Sequence, residues 1–500
     1  MPQEIFLQEQ GIKNNVISGF FWKAMESGGD QLITFLISIV LARLLGPEKY
    51  GTMSVMLIFI TIANVIIQNG FQTALIQRKE ISDTDLSSVF WMGMLISGVL
   101  YLIIFLMAEP AALFFGDPEI TGMLRVLSLM LFTGSVVSIQ IAIVARRMKF
   151  SIQCKATIFA DVISGIAGII AAVRGMGTWA LIFQQLIKNL SLMLVLYGSL
   201  HWMPRFEFSP ERIGALFSYG WKVLASGLID TVYSNLYTPF ISKLYNSAMV
   251  GYYSRGNQFP QVIVNSMAQT MQAVMLPAFS RTQAERDTAK KMLRRAVKLS
   301  GFVMFPMMFG ICAVAEPMIR LLLGEAWLPA VPMLRLCALS YSVWHIHVAN
   351  LQAINANGRS DIYLRLEIIK KVIGIAVLLV SIRMGIAGML LLKAVFDYVC
   401  TIINAWPNRK IIGYGPAAQW RDICPEFVLA AGMAVFVYLL RLPLGCIGIT
   451  GTQGTASAML LLVIQIAAGA AVYLGAAVLL KVESYRYLIE TAMLYLGKKK

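Results

Sequence analysis

The feature that most constrains this chain is a series of apolar runs long enough to cross a bilayer. Residues 51–76 contain no charged side chain, and residues 427–440 form the centre of a similar run near the end of the chain. A spanning helix needs about 20 predominantly apolar residues. Only 14% of the residues are charged, against about 25% in soluble domains. The sequence therefore predicts an all-α membrane protein rather than a set of soluble domains.

About fourteen transmembrane helices are predicted. They lie at 16–41, 51–76, 86–108, 120–145, 150–173, 176–200, 213–244, 251–276, 296–315, 330–356, 362–382, 386–406, 423–442 and 456–480. We divide them into an N-terminal six-helix lobe (1–200), a cytoplasmic linker (201–212), a C-terminal six-helix lobe (213–410), and two additional helices with a basic cytoplasmic tail (411–500). The first apolar run is too long for the core of a signal peptide, so no cleavable signal is expected.

An internal repeat relates the two lobes. Short matches recur in the same order, at offsets close to 200 in the early helices and close to 210 later. They pair Trp22-Lys23 with Trp221-Lys222, Asp30 with Asp230, Gly51 with Gly251, Gly116 with Gly324, Met123–Leu129 with Met333–Leu339, and Met176-Gly177 with Met384-Gly385. Because six helices, an even number, separate the copies, the repeat is parallel and its axis runs along the membrane normal.

The distribution of basic residues predicts the orientation. Lysine and arginine concentrate in the even-numbered loops, as in the basic segment 281–298, and at the chain end 498–500. The positive-inside rule places these loops and both termini in the cytoplasm. The same topology explains the net charge of +16 without a nucleic-acid partner. The mixed charges of 285–298 predict a surface helix on the inner leaflet.

Charged residues within the first helix are the leading site candidates. Lys23, Glu26 and Asp30 share one helical face, and the repeat copy supplies Lys222 and Asp230. Polar groups at membrane depth usually face a bundle interior or water. The lysines form a predicted cationic cavity for a pyrophosphate, and the carboxylates are predicted to bind a proton or cation. The alternative is that both lysines extend to the membrane surface as interfacial anchors.

Two later lysines extend this prediction. Lys188 lies near the middle of the sixth helix, and its repeat mate carries Lys393 and Asp397. We assign both lysines to the same substrate-binding cavity and Asp397 to coupling. Since Lys393 and Asp397 are spaced i, i+4, simple pairing between them is an equal alternative. Asp161 in the fifth helix is a further candidate.

Arg146 and Arg147 follow the fourth helix. Their favoured interpretation is a topological signal on the cytoplasmic side. The second interpretation is a binding site for anionic lipid headgroups.

Signatures of enzymes are absent from the sequence. It has no P-loop, no HExxH and no GxSxG motif, so we assign no catalytic residue and no cofactor. His345 and His347 are two residues apart on one helix and point to different faces, which makes a poor metal site. The six cysteines are isolated and suit small core positions. No metal is therefore expected.

The segment Leu41-Ala42-Arg43-Leu44-Leu45-Gly46-Pro47-Glu48-Lys49-Tyr50-Gly51 resembles a signature of the polysaccharide-transporter family, within the multidrug/oligosaccharidyl-lipid/polysaccharide flippase superfamily. The segments Leu75–Lys79, Asp85–Trp91, Phe114–Pro118 and Leu124–Ser128 strengthen the likeness to its colanic-acid and teichuronic-acid exporter branch, the Wzx-type flippases. The resemblance covers roughly the first 400 residues.

This resemblance implies a fourteen-helix fold of two six-helix lobes that works by alternating access. It implies transfer of undecaprenyl-pyrophosphate-linked repeat units from the inner to the outer leaflet of the bacterial cytoplasmic membrane. The lipid-linked oligosaccharide and membrane lipids are the implied partners, with the polymerase and chain-length regulators of the pathway as further candidates. Three alternatives stay open: a peptidoglycan lipid-precursor flippase, a cation-coupled multidrug antiporter, and a structural scaffold of polymer assembly.

Overall fold

The computed structural model describes residues 2–77, 81–281, 286–446 and 455–497. Within these ranges the regular structure is entirely helical. The chain forms two compact units, Met1–Gly251 and Tyr252–Lys500. The boundary falls inside a helix, and the predicted lobe limits at 200 and 213 stay a prediction.

The first unit contains eight helices and the beginning of a ninth. They are α1 (Pro2–Gln77), α2 (Asp83–Phe115), α3 (Glu119–Leu127), α4 (Met130–Arg146), α5 (Phe150–Val173), α6 (Thr178–Leu200), α7 (Pro210–Asn235), α8 (Tyr237–Leu244) and α9 (Ser247–Arg281). Its core packs apolar side chains from α1, α2, α4 and α6. They include Leu75, Val89, Ile143 and Leu196.

The second unit contains the rest of α9 and nine further α-helices. They are α10 (Arg286–Leu322), α11 (Val331–Tyr341), α12 (Trp344–Ala356), α13 (Ser360–Ser381), α14 (Gly385–Ile411), α15 (Pro416–Leu439), α16 (Arg441–Cys446), α17 (Thr455–Leu479) and α18 (Glu483–Gly497). Its core joins α10, α12, α15 and α17. It includes Phe305, Ile346, Met433 and Tyr473.

Ten helical segments of the described chain are long and apolar enough to cross a membrane. Two of them each cover two predicted spans. Phe21–Gln68 is broken at Gly46, and Ser360–Ile411 is broken by the short 3-10 turn Ile382–Met384. The predicted spans at 213–244 and 251–276 are helical, as α7–α8 and α9, but are too polar to be among the ten. The predicted all-α membrane fold is confirmed.

Three of the breaks have local causes. Gly46 has φ 74° and ψ 176°, which suits glycine, and Pro47 then begins the second half of α1 at a position where its missing N–H costs little. The predicted helix 120–145 is interrupted after Leu127, where the Ser128 hydroxyl donates to the backbone oxygen of Arg125. The predicted helix 213–244 is interrupted at Leu236, because Pro239 cannot donate to Asn235.

A stripe on α2 shows the expected lipid-facing surface. Leu95, Val99, Leu102 and Leu106 recur at helical spacing and are all more than half exposed in the described structure. On this face of α2 the apolar side chains are exposed rather than packed against protein. Such a face is suited to hydrocarbon, where exposed apolar side chains carry no penalty. The multi-pass membrane assignment therefore agrees with the pattern of exposure.

The internal repeat extends to backbone conformation. Gly116 and its repeat mate Gly324 both have positive φ, at 73° and 96°. Gly177 and Gly385 do so too, at 56° and 72°. Glycine adopts such angles without the steric cost that other residues incur. The matched positions therefore share a positive φ, although Gly116 ends α2 with ψ 24° and Gly324 precedes a 3-10 turn with ψ 177°.

Side chains repeat as well. Arg125 of α3 donates Nε to the backbone oxygen of Phe105 in α2, at 3.3 Å. Its repeat mate Arg335 of α11 donates Nε to the backbone oxygen of Cys312 in α10, at 3.1 Å. Each guanidinium therefore ties its helix to the preceding one in the same way. This shared contact supports the predicted parallel repeat.

Two repeat-related glycines make a close reciprocal contact inside the first unit. A Cβ on Gly51 would lie 1.6 Å from the backbone oxygen of Ser247, and a Cβ on Gly251 would lie 2.0 Å from that of Pro47. Pro47 and Ser247 are themselves repeat mates. The two repeat copies therefore contact each other through equivalent positions, as two subunits do at an isologous interface. Both positions require glycine because the backbones leave no room for a side chain.

Candidate functional site

The charged face of α1 packs against α5 within the first unit. Glu26 is buried, with 7% of its surface exposed. Its Oε2 accepts a hydrogen bond from Lys23 Nζ at 2.8 Å, and its Oε1 accepts one from Gln153 Nε2 at 2.8 Å. Thr157 donates a longer bond to the same Oε1. Lys23 and Glu26, which share one face of α1, are therefore paired, and α5 supplies further partners to Glu26. Their assignment to substrate binding and coupling stays a prediction.

One turn further along, Lys188 of α6 lies between two carboxylates. Its Nζ is 2.8 Å from Asp30 Oδ1 on α1 and 2.6 Å from Asp161 Oδ1 on α5. Thr34 Oγ1 lies 3.5 Å away. Asp161 is almost completely buried, whereas about a third of the Asp30 side chain is exposed. Three helices thus meet at a single ammonium group, and we call Lys188, Asp30 and Asp161 the Lys188 triad.

Helical spacing brings these side chains together. Residues 26, 30 and 34 follow one another at intervals of four on α1, and residues 153, 157 and 161 do so on α5. Residues four apart lie on the same helical face. Two polar stripes therefore face each other along the α1–α5 contact, and α6 adds the lysine.

The charge of the triad has a chemical consequence. With both carboxylates ionised, the triad carries one excess negative charge at membrane depth. An uncompensated buried charge is costly, and a bound proton or monovalent cation would remove the excess. The arrangement can therefore bind a small cation. Binding or release of that cation would be accompanied by a change in the ion pairs of Lys188.

In the second unit, Lys393 is also paired. Its Nζ lies 2.9 Å from Asp397 Oδ2 on the same helix and 2.8 Å from Ser340 Oγ on α11. The Ser340 hydroxyl donates in turn to Asp397. The ammonium is also 5.5 Å from the centre of the Tyr341 ring. The i, i+4 pair is therefore present, and the assignment of Lys393 to the substrate-binding cavity and of Asp397 to coupling stays a prediction.

Of the two repeat mates on α7, only Asp230 has a described side chain. The backbone of Lys222 lies in α7, but its side chain is outside the described residues. Asp230 is exposed on α7, and its backbone oxygen accepts a hydrogen bond from Ser234 Oγ at 2.7 Å. Its assignment to coupling stays a prediction.

Arg146 has a structural contact. Its Nη1 donates to the backbone oxygen of Leu75 at 3.1 Å, in the last turn of α1, where carbonyl groups lack helical partners. Arg147 is exposed after the end of α4. Binding of lipid headgroups by these two arginines stays a prediction.

The sequence interpretation missed the uncharged members of the site. Gln153, Thr157 and Ser340 contribute the amide and hydroxyl groups that complete the ion pairs. The signal was available for α5, since Gln153, Thr157 and Asp161 recur every four residues in an apolar helix. Across the described residues, no cluster of three His, Cys, Asp or Glu side chains has metal-binding geometry.

His345 and His347 contact different neighbours, as their spacing predicts. His347 Nδ1 lies 3.0 Å from Asn404 Nδ2 on α14. His345 packs against the edge of Phe305 on α10, with ring centres 4.9 Å apart. The two imidazoles therefore do not converge on a common ligand.

The predicted surface helix at 285–298 is wrong over its described part. Residues from Arg286 onward belong to α10, which continues into a candidate span. Arg294 pairs with Asp422 and Glu483, each at 2.9 Å, and Lys298 pairs with Glu483 at 2.6 Å. Glu285 lies outside the described residues. Ion pairs to α15 and α18 thus engage Arg294 and Lys298 of this segment.

Known proteins share both sequence and fold with this chain. The succinoglycan biosynthesis transport protein ExoT of Rhizobium meliloti is 27% identical over 64% of this chain and 65% of its own length. The match therefore spans just under two thirds of that relative. The teichuronic acid biosynthesis protein TuaB of Bacillus subtilis is 22% identical over 93% of this chain and 95% of its own length.

Two solved structures show the same fold. The lipid II flippase MurJ, in an inward closed conformation, superposes with a TM-score of 0.72 and 16% identity over 95% of this chain and 99% of its own. A multidrug resistance transporter of the MATE family superposes with a TM-score of 0.60 and 16% identity, over 78% of this chain and 96% of its own. These likenesses confirm the two-lobed helical architecture.

A sequence family described as "Polysaccharide biosynthesis protein" matches residues 40–332. The matched segment runs from the last turns before the Gly46 break to the beginning of α11. It contains Asp161 and Lys188, and thus most of the triad. Since it covers more than half of the sequence, this multi-pass membrane protein belongs to the polysaccharide biosynthesis protein family.

Proposed function

We propose that the protein is a flippase that moves an undecaprenyl-pyrophosphate-linked oligosaccharide from the inner to the outer leaflet of the cytoplasmic membrane. Family membership and the transport relative from Rhizobium support this assignment. The observation that carries it is the Lys188 triad, where a lysine is placed among carboxylates inside apolar spans. Charged groups at this depth are costly and are characteristic of a transport path.

The solvent explains why such a lipid needs a protein. Its head carries phosphate charges and many hydroxyl groups, so moving it unaided through hydrocarbon would expose polar groups with no hydrogen-bond partners. A polar path replaces the lost water, while the isoprenoid chain stays in lipid. In this proposal the α1–α5–α6 polar stripes supply part of that path.

The pairing of the lysine refines the mechanism. Lys188 already contacts two carboxylates, so a phosphate must displace at least one of them. Protonation or cation binding at Asp30 or Asp161 weakens the hold on Lys188 and frees its ammonium group for the substrate. Release of the proton then restores the triad and expels the head. Substrate binding and cation binding are thereby linked at one site.

The finer localisation follows from the charge pattern. We propose that the protein lies in the bacterial cytoplasmic membrane with both termini in the cytoplasm. In this setting the substrate is delivered from the inner face and consumed at the outer face. The polymerase and chain-length regulators of the pathway are the proposed partners, and the protein itself acts as a transporter rather than as an enzyme.

A cation-coupled multidrug antiporter is the second candidate. Two carboxylates for one lysine in the triad leave an excess negative charge that suits a cationic substrate. A peptidoglycan lipid-precursor flippase would use the same mechanism with a different head.

Translocation in proteoliposomes tests the proposal. A fluorescent undecaprenyl-pyrophosphate oligosaccharide is placed in one leaflet, and its exposure to a membrane-impermeant quencher is followed over time. Native protein should move the lipid, and Lys188→Gln should slow it by about tenfold or more. Lys370→Gln is the matched control, because Lys370 also pairs with a carboxylate in a helix, Glu367 at 2.6 Å, but lies outside the triad.

The outcomes separate the candidates. Equal slowing by both substitutions would mean that the triad has no special role. Absence of any lipid movement, together with proton-coupled efflux of a cationic dye from the same vesicles, would reject the flippase in favour of the antiporter.

A further inference from the structure

A second ionisable site lies in the second unit, far along the chain from the triad. Glu426 of α15 is completely buried, with 0% of its surface exposed. Its Oε1 accepts a hydrogen bond from the Ser484 hydroxyl at the beginning of α18. Its Oε2 has no hydrogen-bond partner among the described residues. A buried carboxylate oxygen without a partner is costly, so this atom requires a ligand.

The unpartnered oxygen lies beside the same glycine, Gly301, as a buried histidine nitrogen. His345 of α12 is 1% exposed, and its Nε2 also lacks a hydrogen-bond partner within the described structure. Both atoms lie 3.2 Å from the position that a Cβ on Gly301 of α10 would take. They are therefore separated by no more than twice that distance. Because neither atom has a hydrogen-bond partner in the described structure, a contact between them requires a small movement or a bridging water. Glycine at 301 keeps the space between them open.

The surrounding charges do not neutralise Glu426. The nearby cation Lys298 is engaged by Glu483, and Asp422 is engaged by Arg294. Other titratable neighbours among the described residues have hydrogen-bond partners of their own, and Tyr414 donates to Asp422 at 2.8 Å. Tyr473 on α17 donates to the backbone oxygen of Phe302, and His347 on α12 contacts Asn404.

A shared proton satisfies both orphaned atoms. If Glu426 is ionised and His345 neutral, the pair buries a net negative charge. If both are protonated, it buries a net positive charge. With one proton shared between Glu426 Oε2 and His345 Nε2, the pair is neutral overall and both of these atoms have a partner, which a medium of low dielectric favours.

A route for the proton leads to the protein surface. A surface pocket of about 290 Å³ lies between α10 and α18 and includes Ser484 in its wall. Ser484 is 2% exposed, and its hydroxyl donates to Glu426 Oε1. A hydroxyl both donates and accepts, so Ser484 can pass a proton from water in the pocket to the carboxylate.

We propose that Glu426 and His345 form a buried proton-binding pair that exchanges its proton with the surface pocket through Ser484. The pair holds one proton at neutral pH, and α10, α12, α15 and α18 all contribute to it. This inference concerns proton binding by the protein and does not depend on the transported substrate.

Isotope-edited spectroscopy of the purified full-length protein tests the pair. The chain has only three histidines, so nitrogen-15 labelling of histidine gives three resolvable rings, assigned by His345→Gln. At about pH 7.5, above the ordinary pKa of both groups, the native protein should show a charged imidazole at His345 or an infrared band of a protonated carboxylic acid. Glu426→Gln should remove whichever signal is present.

A second pair of variants covers the case in which Glu426→Gln fails to fold. Gly301→Ala places a methyl group between the two polar atoms and should change the His345 signals. Gly310→Ala on the same helix is the matched control, since its Cβ would meet only Met433 at 3.9 Å. Ser484→Ala should slow exchange of the proton with deuterated water by about tenfold or more, because it removes the relay.

A neutral His345 ring in the native protein, with no carboxylic acid band that depends on Glu426, would overturn the proposal. So would identical His345 signals in the Gly301 and Gly310 variants. Exchange unaffected by Ser484→Ala would remove the pocket route.

Discussion

At Lys188, one ammonium group contacts carboxylates from two different helices. The free-energy cost of removing this ammonium group depends on the two carboxylates that it would leave without a partner. Without the lysine, Asp30 and Asp161 become two like charges at close range, and one of them is almost completely buried. Breaking a buried ion pair in this way costs about 3–5 kcal/mol, more than an intact pair contributes.

This asymmetry gives a prediction for paired substitutions. Lys188→Gln should lower the free energy of unfolding in detergent by about 3 kcal/mol. Adding Asp161→Asn should recover much of that loss, because it removes the buried charge that has lost its partner. Denaturant unfolding followed by tryptophan fluorescence measures both effects. Strict additivity of the two changes would show that the groups do not interact.

Residue spacing could predict only part of this site. Lys393 and Asp397 are four residues apart on one helix, so their pair was accessible from sequence. Glu26 and Gln153, by contrast, are 127 residues apart and meet because α1 and α5 pack in one particular register. Nothing in either local sequence specifies that register. Contacts within a helix are thus predictable, whereas contacts between helices require the fold.

Among the elements, α18 is held at its first residue by charge. Glu483 accepts hydrogen bonds from Arg294 at 2.9 Å and from Lys298 at 2.6 Å. These hydrogen bonds lower the pKa of Glu483 to about 2, against about 4.3 in an unfolded chain. Because the folded-state pKa is the lower one, the anchor is fully present above about pH 4.3 and weakens as the pH falls toward 2.

The consequence is a pH-dependent α18. Backbone amides of α18 should exchange with deuterium faster as the pH falls below about 4, after correction for intrinsic exchange rates. Glu483→Gln should exchange faster already at neutral pH and lose most of the acid dependence. Glu490→Gln is the control, because Glu490 pairs only with Arg486 on the same exposed helix face among its described contacts. An identical acid response in native protein and Glu483→Gln would exclude this anchor.

Close packing of two helices gives a further prediction at this scale. Gly51→Ala would place a methyl group 1.6 Å from the backbone oxygen of Ser247, so α1 and α9 must separate. Gly28→Ala, also in α1, meets nothing within 4 Å and should be neutral or slightly stabilising, by up to about 1 kcal/mol. We expect Gly51→Ala to reduce the yield of folded protein sharply in size-exclusion chromatography. Equal yields for both variants would contradict the close contact.

For the whole molecule, hydropathy and the repeat predicted most of the architecture. Each predicted span is largely helical in the structure, with interruptions such as those at Ser128 and Leu236, because about 20 apolar residues in hydrocarbon have few alternatives to a helix. Hydropathy is least successful in identifying α7 and α9 as membrane spans, because neither helix is among the ten candidates. Their sequences carry groups such as Asp230, Arg255 and Asn257. Arg255 is buried within the protein whereas Asp230 is exposed, so the polar residues of these two helices do not share one environment.

Orientation in the membrane is the remaining prediction, and one candidate span tests it. Glu119 and Arg147 lie at or just beyond the two ends of the segment Glu119–Arg146, and both are exposed. The positive-inside rule places Arg147 in the cytoplasm and Glu119 outside. In a variant whose exposed Cys424 is replaced by serine, Glu119→Cys should react with a membrane-impermeant maleimide in intact cells. Arg147→Cys should react only after permeabilisation. The reverse pattern would invert the proposed direction of transport, because the cytoplasmic loops identified by their basic residues would then face outward.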